Sequence, residues 1–218
     1  MKERGTVLRH MLDRKIVAIA RGIYAQECLS LAEALYRGGV DMLEVTFDQS
    51  SARAAEDTAG TLRLLNERLG DRMIFGAGTV TSPEMAEVAA AAGAAFIISP
   101  NTDQSVIART RELELVSVPG AMTPTEIMNA DKWGADIVKL FPSGVLGLDY
   151  IKAIRAPINH VKLMATGGVN VSNIKSFLDA GMVGVGVGGN LCSKKLVAEG
   201  RFEEIAALAA EYVAAIGG

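Results

Sequence analysis

Short apolar runs recur along the chain, and each is followed by an Ala-, Leu- and Glu-rich stretch whose apolar positions fall at helical spacing. The alternation repeats about every 20–30 residues, the period of a β-strand followed by a returning helix. Strands are expected over 16–20, 42–47, 73–78, 95–99, 115–118, 136–141, 162–166 and 184–187. Helices are expected over 25–38, 52–69, 83–92, 103–111, 124–132, 148–154, 171–179 and 202–216, behind a short charged helix over 2–13. The caps agree with these limits. Ser82 with Pro83 opens one helix, Thr123 with Pro124 and Glu126 opens another, and Gly70, Gly93, Gly134 and Gly181 close others. Eight βα units with almost no insertions predict one domain over 1–218, a single-domain (β/α)8 TIM barrel with a short N-terminal helix; a doubly wound open sheet is the alternative.

Composition narrows the partners. The 218 residues are 50% hydrophobic but 5% aromatic, so the core is built from small aliphatic side chains and offers no stacking platform for bases. A net charge of −3 with both signs interspersed leaves no footprint for nucleic acid or for an anionic membrane surface. Small molecules remain. Cys28 and Cys192 lack the spacing of a disulfide framework or a zinc site, which fits a reducing cytosol, and no metal or other cofactor is expected. The isolated histidines His10 and His160 read as surface or hydrogen-bonded residues. The apolar stretch 16–20 is too short for the core of a signal peptide, so a cytoplasmic location is expected.

In a parallel barrel the chemistry sits at the carboxyl ends of the strands. One lysine, Lys139, stands in the middle of the apolar run Ile137-Val138-Lys139-Leu140-Phe141. An ammonium among apolar neighbours is costly, and shedding its proton leaves a nucleophilic amine able to form a Schiff base with a ketone. Lowering a lysine from ~10.4 to about 7–8 takes roughly 4 kcal/mol of differential stabilisation, within reach of burial. Side chains alternate along a strand, so Ile137, Lys139 and Phe141 share the barrel interior while Val138 and Leu140 face the helices. The same parity groups Met42, Glu44 and Thr46. A lysine and a carboxylate in one barrel mouth make a nucleophile and a proton shuttle; the competing reading is a buried structural ion pair. Gly167, Gly168, Gly189 and Asn190, after the last two strands, would form a cradle for an anion such as phosphate, or simply tight turns. Gly76-Ala77-Gly78 permits close backbone approach, and the Thr79 hydroxyl is a donor for a carboxylate.

Seven segments, in order and spacing, resemble one family: Leu43-Glu44-Val45-Thr46, Gly76-Ala77-Gly78-Thr79-Val80, Ile98-Ser99-Pro100, Pro119-Gly120, Val138-Lys139-Leu140-Phe141-Pro142, Thr166-Gly167-Gly168 and Val187-Gly188-Gly189. Together they are similar to the 2-keto-3-deoxy-6-phosphogluconate (KDPG) / 4-hydroxy-2-oxoglutarate (KHG) aldolases. The resemblance implies a metal-free class I aldolase that cleaves a 2-keto-3-deoxy or 2-keto-4-hydroxy acid into pyruvate and an aldehyde, assembled as a homotrimer. It makes Lys139 the Schiff-base lysine and Glu44 the general acid/base. It places Thr79 on the pyruvate carboxylate, Pro100 and Phe141 in the pocket wall, and Thr166, Gly167, Gly168, Gly189 and Asn190 at the distal end. Arg21 corresponds to a basic residue at the end of strand one. One position departs: the family commonly has an arginine where this chain has Asp48, which is expected to repel a carboxylate. Two other functions compete: a sugar-phosphate isomerase or epimerase that uses Lys139 only electrostatically, and a barrel that binds keto acids without turnover.

Overall fold

The computed structural model describes residues 2–217. Nine parallel strands alternate with helices: β1 Ile16–Ala20, β2 Met42–Thr46, β3 Ile74–Gly78, β4 Phe96–Ile98, β5 Val116–Val118, β6 Gly120–Ala121, β7 Val138–Leu140, β8 Leu163–Thr166 and β9 Gly184–Val187. Their order is β5-β4-β3-β2-β1-β9-β8-β7-β6. β5 pairs with β4 and β6 pairs with β7. β5 falls on the expected strand 115–118, and β6 continues the same segment beyond it, after an interruption where Pro119 has no N–H to give. The carbonyls of Ser117, Pro119 and Ala121 accept from the N–H groups of Asp136, Lys139 and Phe141, so this strand closes the ring. The expected eight-stranded barrel is therefore present, with its fifth strand counted twice.

The period-two pattern divides the strand residues into two cores. Leu43, Val45, Val138, Leu140, Leu163 and Ala165 pack outward against the helices. Val17, Met42, Phe96, Val116, Ile137 and Met164 fill the barrel axis. Val7 and Met11 of the first helix, α1 (Arg4–Arg14), join that inner cluster from below. The charged N-terminal helix is thus the floor of the barrel. The other helices are α2 Ala25–Arg37, α3 Ala54–Leu69, α4 Pro83–Ala91, α5 Gln104–Glu112, α6 Pro124–Lys132, α7 Ser143–Arg155, α8 Ile174–Asp179, α9 Lys194–Ala198 and α10 Phe202–Ala215.

Capping follows the sequence. Ser82 accepts from Met85 N, and Thr123 and Glu126 complete a reciprocal capping box. Two elements depart from expectation. α7 begins five residues early, with a turn at 143–146 joined to the expected helix across Gly147 at φ +78°. The five-residue α9 was not expected, being too short for any periodicity to show.

The floor is pinned by an acid at the start of the lysine-bearing run. The Asp136 side chain is 5% exposed, is paired with Arg4 of α1 and, at 3.2 Å, with Arg111 of α5, and accepts from Ser117 N at 2.9 Å. Removing it strands two guanidinium groups and one backbone donor. Asp136→Ala is expected to lower unfolding stability by about 2 kcal/mol, below the value for a fully buried pair because both arginines reach solvent. Urea denaturation checks this; an unchanged midpoint would remove the floor contact from the fold's energetics.

Candidate active site

Lys139 sits at the centre of β7, opposite Gly120 on one side and Met164 on the other, and is 5% exposed. Its Nζ lies 4.9 Å from the centroid of the Phe141 ring. Ser143, fully buried, donates to Leu140 O at 2.6 Å and accepts from Thr166 N at 3.2 Å, fixing the end of the lysine strand to β8. Burial holds the Lys139 pKa below the ordinary 10.5; the charge of Glu44 opposes that shift and Arg21 adds to it.

Glu44, on β2, is 1% exposed, and its Oε2 is buried with no hydrogen-bond partner. Burial pushes its carboxyl above the ordinary 4.5, against the pull of Lys139 and Arg21. Among the described residues no ion pair within 4.0 Å joins Glu44 to Lys139. The structural ion pair is therefore not what the two groups form. They share the interior, each shifted by burial toward its neutral state.

Room for the carboxyl comes from β3. A Cβ on Gly78 would lie 1.6 Å from Glu44 Oε1, and one on Gly76 would lie 2.2 Å from the Phe96 ring. These glycines admit neighbouring side chains, where the sequence suggested approach by a ligand. Thr79, next in line, holds φ +58°, a strained conformation for a β-branched residue. It is gripped from two sides: Gln49 Nε2 donates to Thr79 O at 2.8 Å, and Arg21 Nη1 donates to Thr79 Oγ1 at 3.5 Å.

Two cavities meet at the mouth. One, about 310 Å³, is lined by Arg21, Lys139, Phe141, Thr166, Gly167 and Gly189. The other, about 420 Å³, is lined by Thr46, Asp48, Gln49 and Thr79, and shares Arg21 with the first. So Arg21, Phe141, Thr166, Gly167 and Gly189 gather with Lys139, while Thr79 stands in the adjoining space. Gly168 lines a third groove beside Pro142 and Gly144. Pro100 is exposed, its carbonyl beside Gly120. The Asn190 side chain donates to Val169 O at 2.8 Å, so its amide holds a loop. Asp48 is turned to its own loop, where Oδ1 accepts from Ser50 N at 3.0 Å and Ser50 Oγ at 2.6 Å. Those bonds hold its pKa below the ordinary value.

Residues that sequence reading passed over also line the lysine cavity. Cys192 is one, its thiol pushed up to about 12 by burial. Lys194 lines both cavities. The Asp48-Gln49-Ser50 order was an available signal for a side-chain-to-backbone turn; nothing in the spacing of Lys194 marked it.

Known proteins resemble this chain in sequence and share its fold. The family model described as KDPG and KHG aldolase matches residues 7–208. The 2-dehydro-3-deoxy-6-phosphogalactonate aldolase of Escherichia coli strain K12 is 31% identical over 202 residues, covering 92% of this chain and 96% of that one. The 2-dehydro-3-deoxy-phosphogluconate aldolase of Haemophilus influenzae is 30% identical, covering 95% of each. Among solved structures, one described as native KDPGal superposes with a TM-score of 0.81 at 33% identity, covering 92% and 93% of the two chains. The Legionella pneumophila KDPG aldolase, with pyruvate captured as a covalent carbinolamine, gives 0.81 at 28% identity, covering 96% and 97%. A barrel with a buried lysine and a buried carboxyl at its mouth, matched over nearly its whole length by these proteins, belongs to the KDPG and KHG aldolase family.

Proposed function

We propose that the chain is a class I aldolase in which Lys139 forms a Schiff base with a 2-keto-3-deoxy or 2-keto-4-hydroxy acid and releases pyruvate and an aldehyde. The observation that carries this reading is the amine itself: buried, held below its ordinary pKa and, among the described residues, without an ion-pair partner within 4.0 Å. Its free electron pair adds to the C2 ketone. Glu44, protonated, gives its proton to the departing hydroxyl, and water leaves behind an iminium. The Glu44 carboxylate then takes the proton of the C4 hydroxyl, the C3–C4 bond breaks, and its electrons move into the iminium to give an enamine. Protonation at C3 and hydrolysis return pyruvate and the free amine. In this reading Arg21 and Thr79 take the carboxylate beside C2, and Gly167 and Gly189 meet the distal end, a role supported by their lining the two adjoining cavities.

Incubation with pyruvate and borohydride, followed by peptide mass spectrometry, tests the reading. A reduced adduct on Lys139 together with cleavage of a keto acid supports it. An adduct without cleavage favours a keto-acid-binding barrel, and no adduct favours an isomerase or epimerase.

The family resemblance also underlies a homotrimer, for which exposed Met122, Met128 and Val145 supply apolar surface. A solution mass three times 22.9 kDa is expected by light scattering, and a single-chain mass would dismiss it. Among the described residues no helix is long and apolar enough to cross a membrane.

A further inference from the structure

Gln49 stands exposed in the loop after β2, yet its side chain is committed. Nε2 donates to Thr79 O at 2.8 Å and lies 3.7 Å from Met85 Sδ on α4. The backbone around it is a closed turn: Asp48 Oδ1 accepts from Ser50 N and Ser50 Oγ, and Asp48 O accepts from Ser51 N at 3.0 Å. The acid that departs from the family pattern thus closes the turn from which Gln49 reaches across to the end of β3.

Thr79 is a residue that needs holding. At φ +58° its backbone is in a region that costs a non-glycine residue on the order of 1–3 kcal/mol and persists only where the surroundings fix it. Before it, Gly78 O accepts from Phe47 N at 2.9 Å, tying the end of β3 to β2. After it, the peptide group between Thr79 and Val80 is held at both ends. Val80 N donates to Ile98 O at 3.3 Å, and Gln49 donates to Thr79 O at 2.8 Å. Of these two bonds the one from Gln49 is the shorter, and a side chain makes it.

The angle φ sets how a side chain stands relative to its own N–H. Among the described residues the Thr79 N–H makes no hydrogen bond. The Thr79 Oγ1 accepts from Arg21 Nη1 at 3.5 Å, which leaves the hydroxyl proton to give. One residue therefore offers two donors, with a guanidinium beside them, a set that suits the two oxygens of a carboxylate.

We propose that Gln49 is a positioning residue: its amide holds Thr79 at positive φ, so that the Thr79 N–H and hydroxyl meet the substrate carboxylate together. This deepens the aldolase reading and rests on it for the carboxylate beside C2. Gln49 acts through Thr79 and on affinity; the chemistry at C2 stays with Lys139 and Glu44.

The test measures, on the whole chain, the ketone concentration that gives half the maximal rate of inactivation by borohydride. Pyruvate and methyl pyruvate are compared, because they share the ketone and only pyruvate carries the charged carboxylate. Gln49→Met keeps an unbranched side chain of similar length and removes the donor; Gln49→Ala is the second variant. In both, the value for pyruvate is expected to rise about tenfold. The value for methyl pyruvate should stay within about twofold of the parent's. In cleavage of a keto acid KM should rise with the pyruvate value while kcat holds, as for an interaction made equally in the ground and transition states. A glycine at 79 adopts the same φ without strain and has no side chain to aim. Adding Gln49→Met to Thr79→Gly should therefore weaken pyruvate by less than about twofold beyond Thr79→Gly alone. With the adduct present in the parent, an unchanged pyruvate value in both Gln49 variants would overturn the proposal. Equal losses on the two ketones would overturn it as well, and so would a full tenfold loss in the Thr79→Gly background. A parent that forms no adduct on Lys139 with either ketone would show instead that the aldolase reading fails, and the role of Gln49 would fall with it.

Discussion

Lys139→Met is expected to give a folded protein that forms no borohydride-reducible adduct with pyruvate and cleaves no keto acid above the uncatalysed rate. Methionine is one atom shorter than lysine but unbranched and apolar, so it fills most of the space beside Phe141 and the barrel has no reason to rearrange. The charge problem vanishes with the amine. Because folding lowers the Lys139 pKa, the native state binds fewer protons than the unfolded chain at pH values between the native pKa and 10.5. Stability from this group is complete above 10.5 and is lost as pH falls through the native value. The methionine variant lacks that slope and should be about 1–2 kcal/mol more stable at pH 7, as expected when a buried charge is replaced by an apolar group. Denaturant titrations at several pH values read this directly. An adduct that persists in Lys139→Met would move the chemistry to another amine.

Glu44→Gln is expected to slow turnover by about 10²–10⁴-fold while pyruvate still binds, because the amide fills the same volume above Gly78 but carries no proton to transfer. The pH behaviour separates this from simple disruption. With the Glu44 pKa raised above 4.5, the native state holds a proton that the unfolded chain gives up. Its contribution to stability is whole below 4.5 and is lost as pH rises through the native pKa, the reverse of Lys139. In the parent, kcat/KM should rise with pH as Lys139 loses its proton and fall as Glu44 loses its own. Glutamine should erase the alkaline limb alone. Equal turnover in Glu44→Gln and the parent would take Glu44 out of the mechanism.

Much of this was legible in the chain itself. A two-residue period on β2 and β7 placed Glu44 and Lys139 in one interior, and the packing of Met42 and Ile137 along the axis and of Leu43, Val45, Val138 and Leu140 outside it follows that parity. Such patterns are local and strong because each strand is buried on both faces. What escaped depended on long-range approach. Gly78 faces Glu44, 34 positions earlier in the chain, and Gly22 faces Lys194, so neither glycine's purpose could be read from its own neighbours. The division of the fifth strand at Pro119 showed in the sequence only as a strand end. Asp48 is the instructive case. Its charge suggested repulsion of a substrate carboxylate; the structure adds that Oδ1 is tied to Ser50 within its own loop, an orientation that charge alone did not reveal.

The helix that plugs the underside has a consequence for traffic. With Val7 and Met11 wedged beneath the axis, the underside is filled among the described residues, so molecules reach the amine and leave it through the mouth. After bond cleavage one product is still tethered and the other is loose, so the untethered aldehyde has to depart before its companion can be freed and follow.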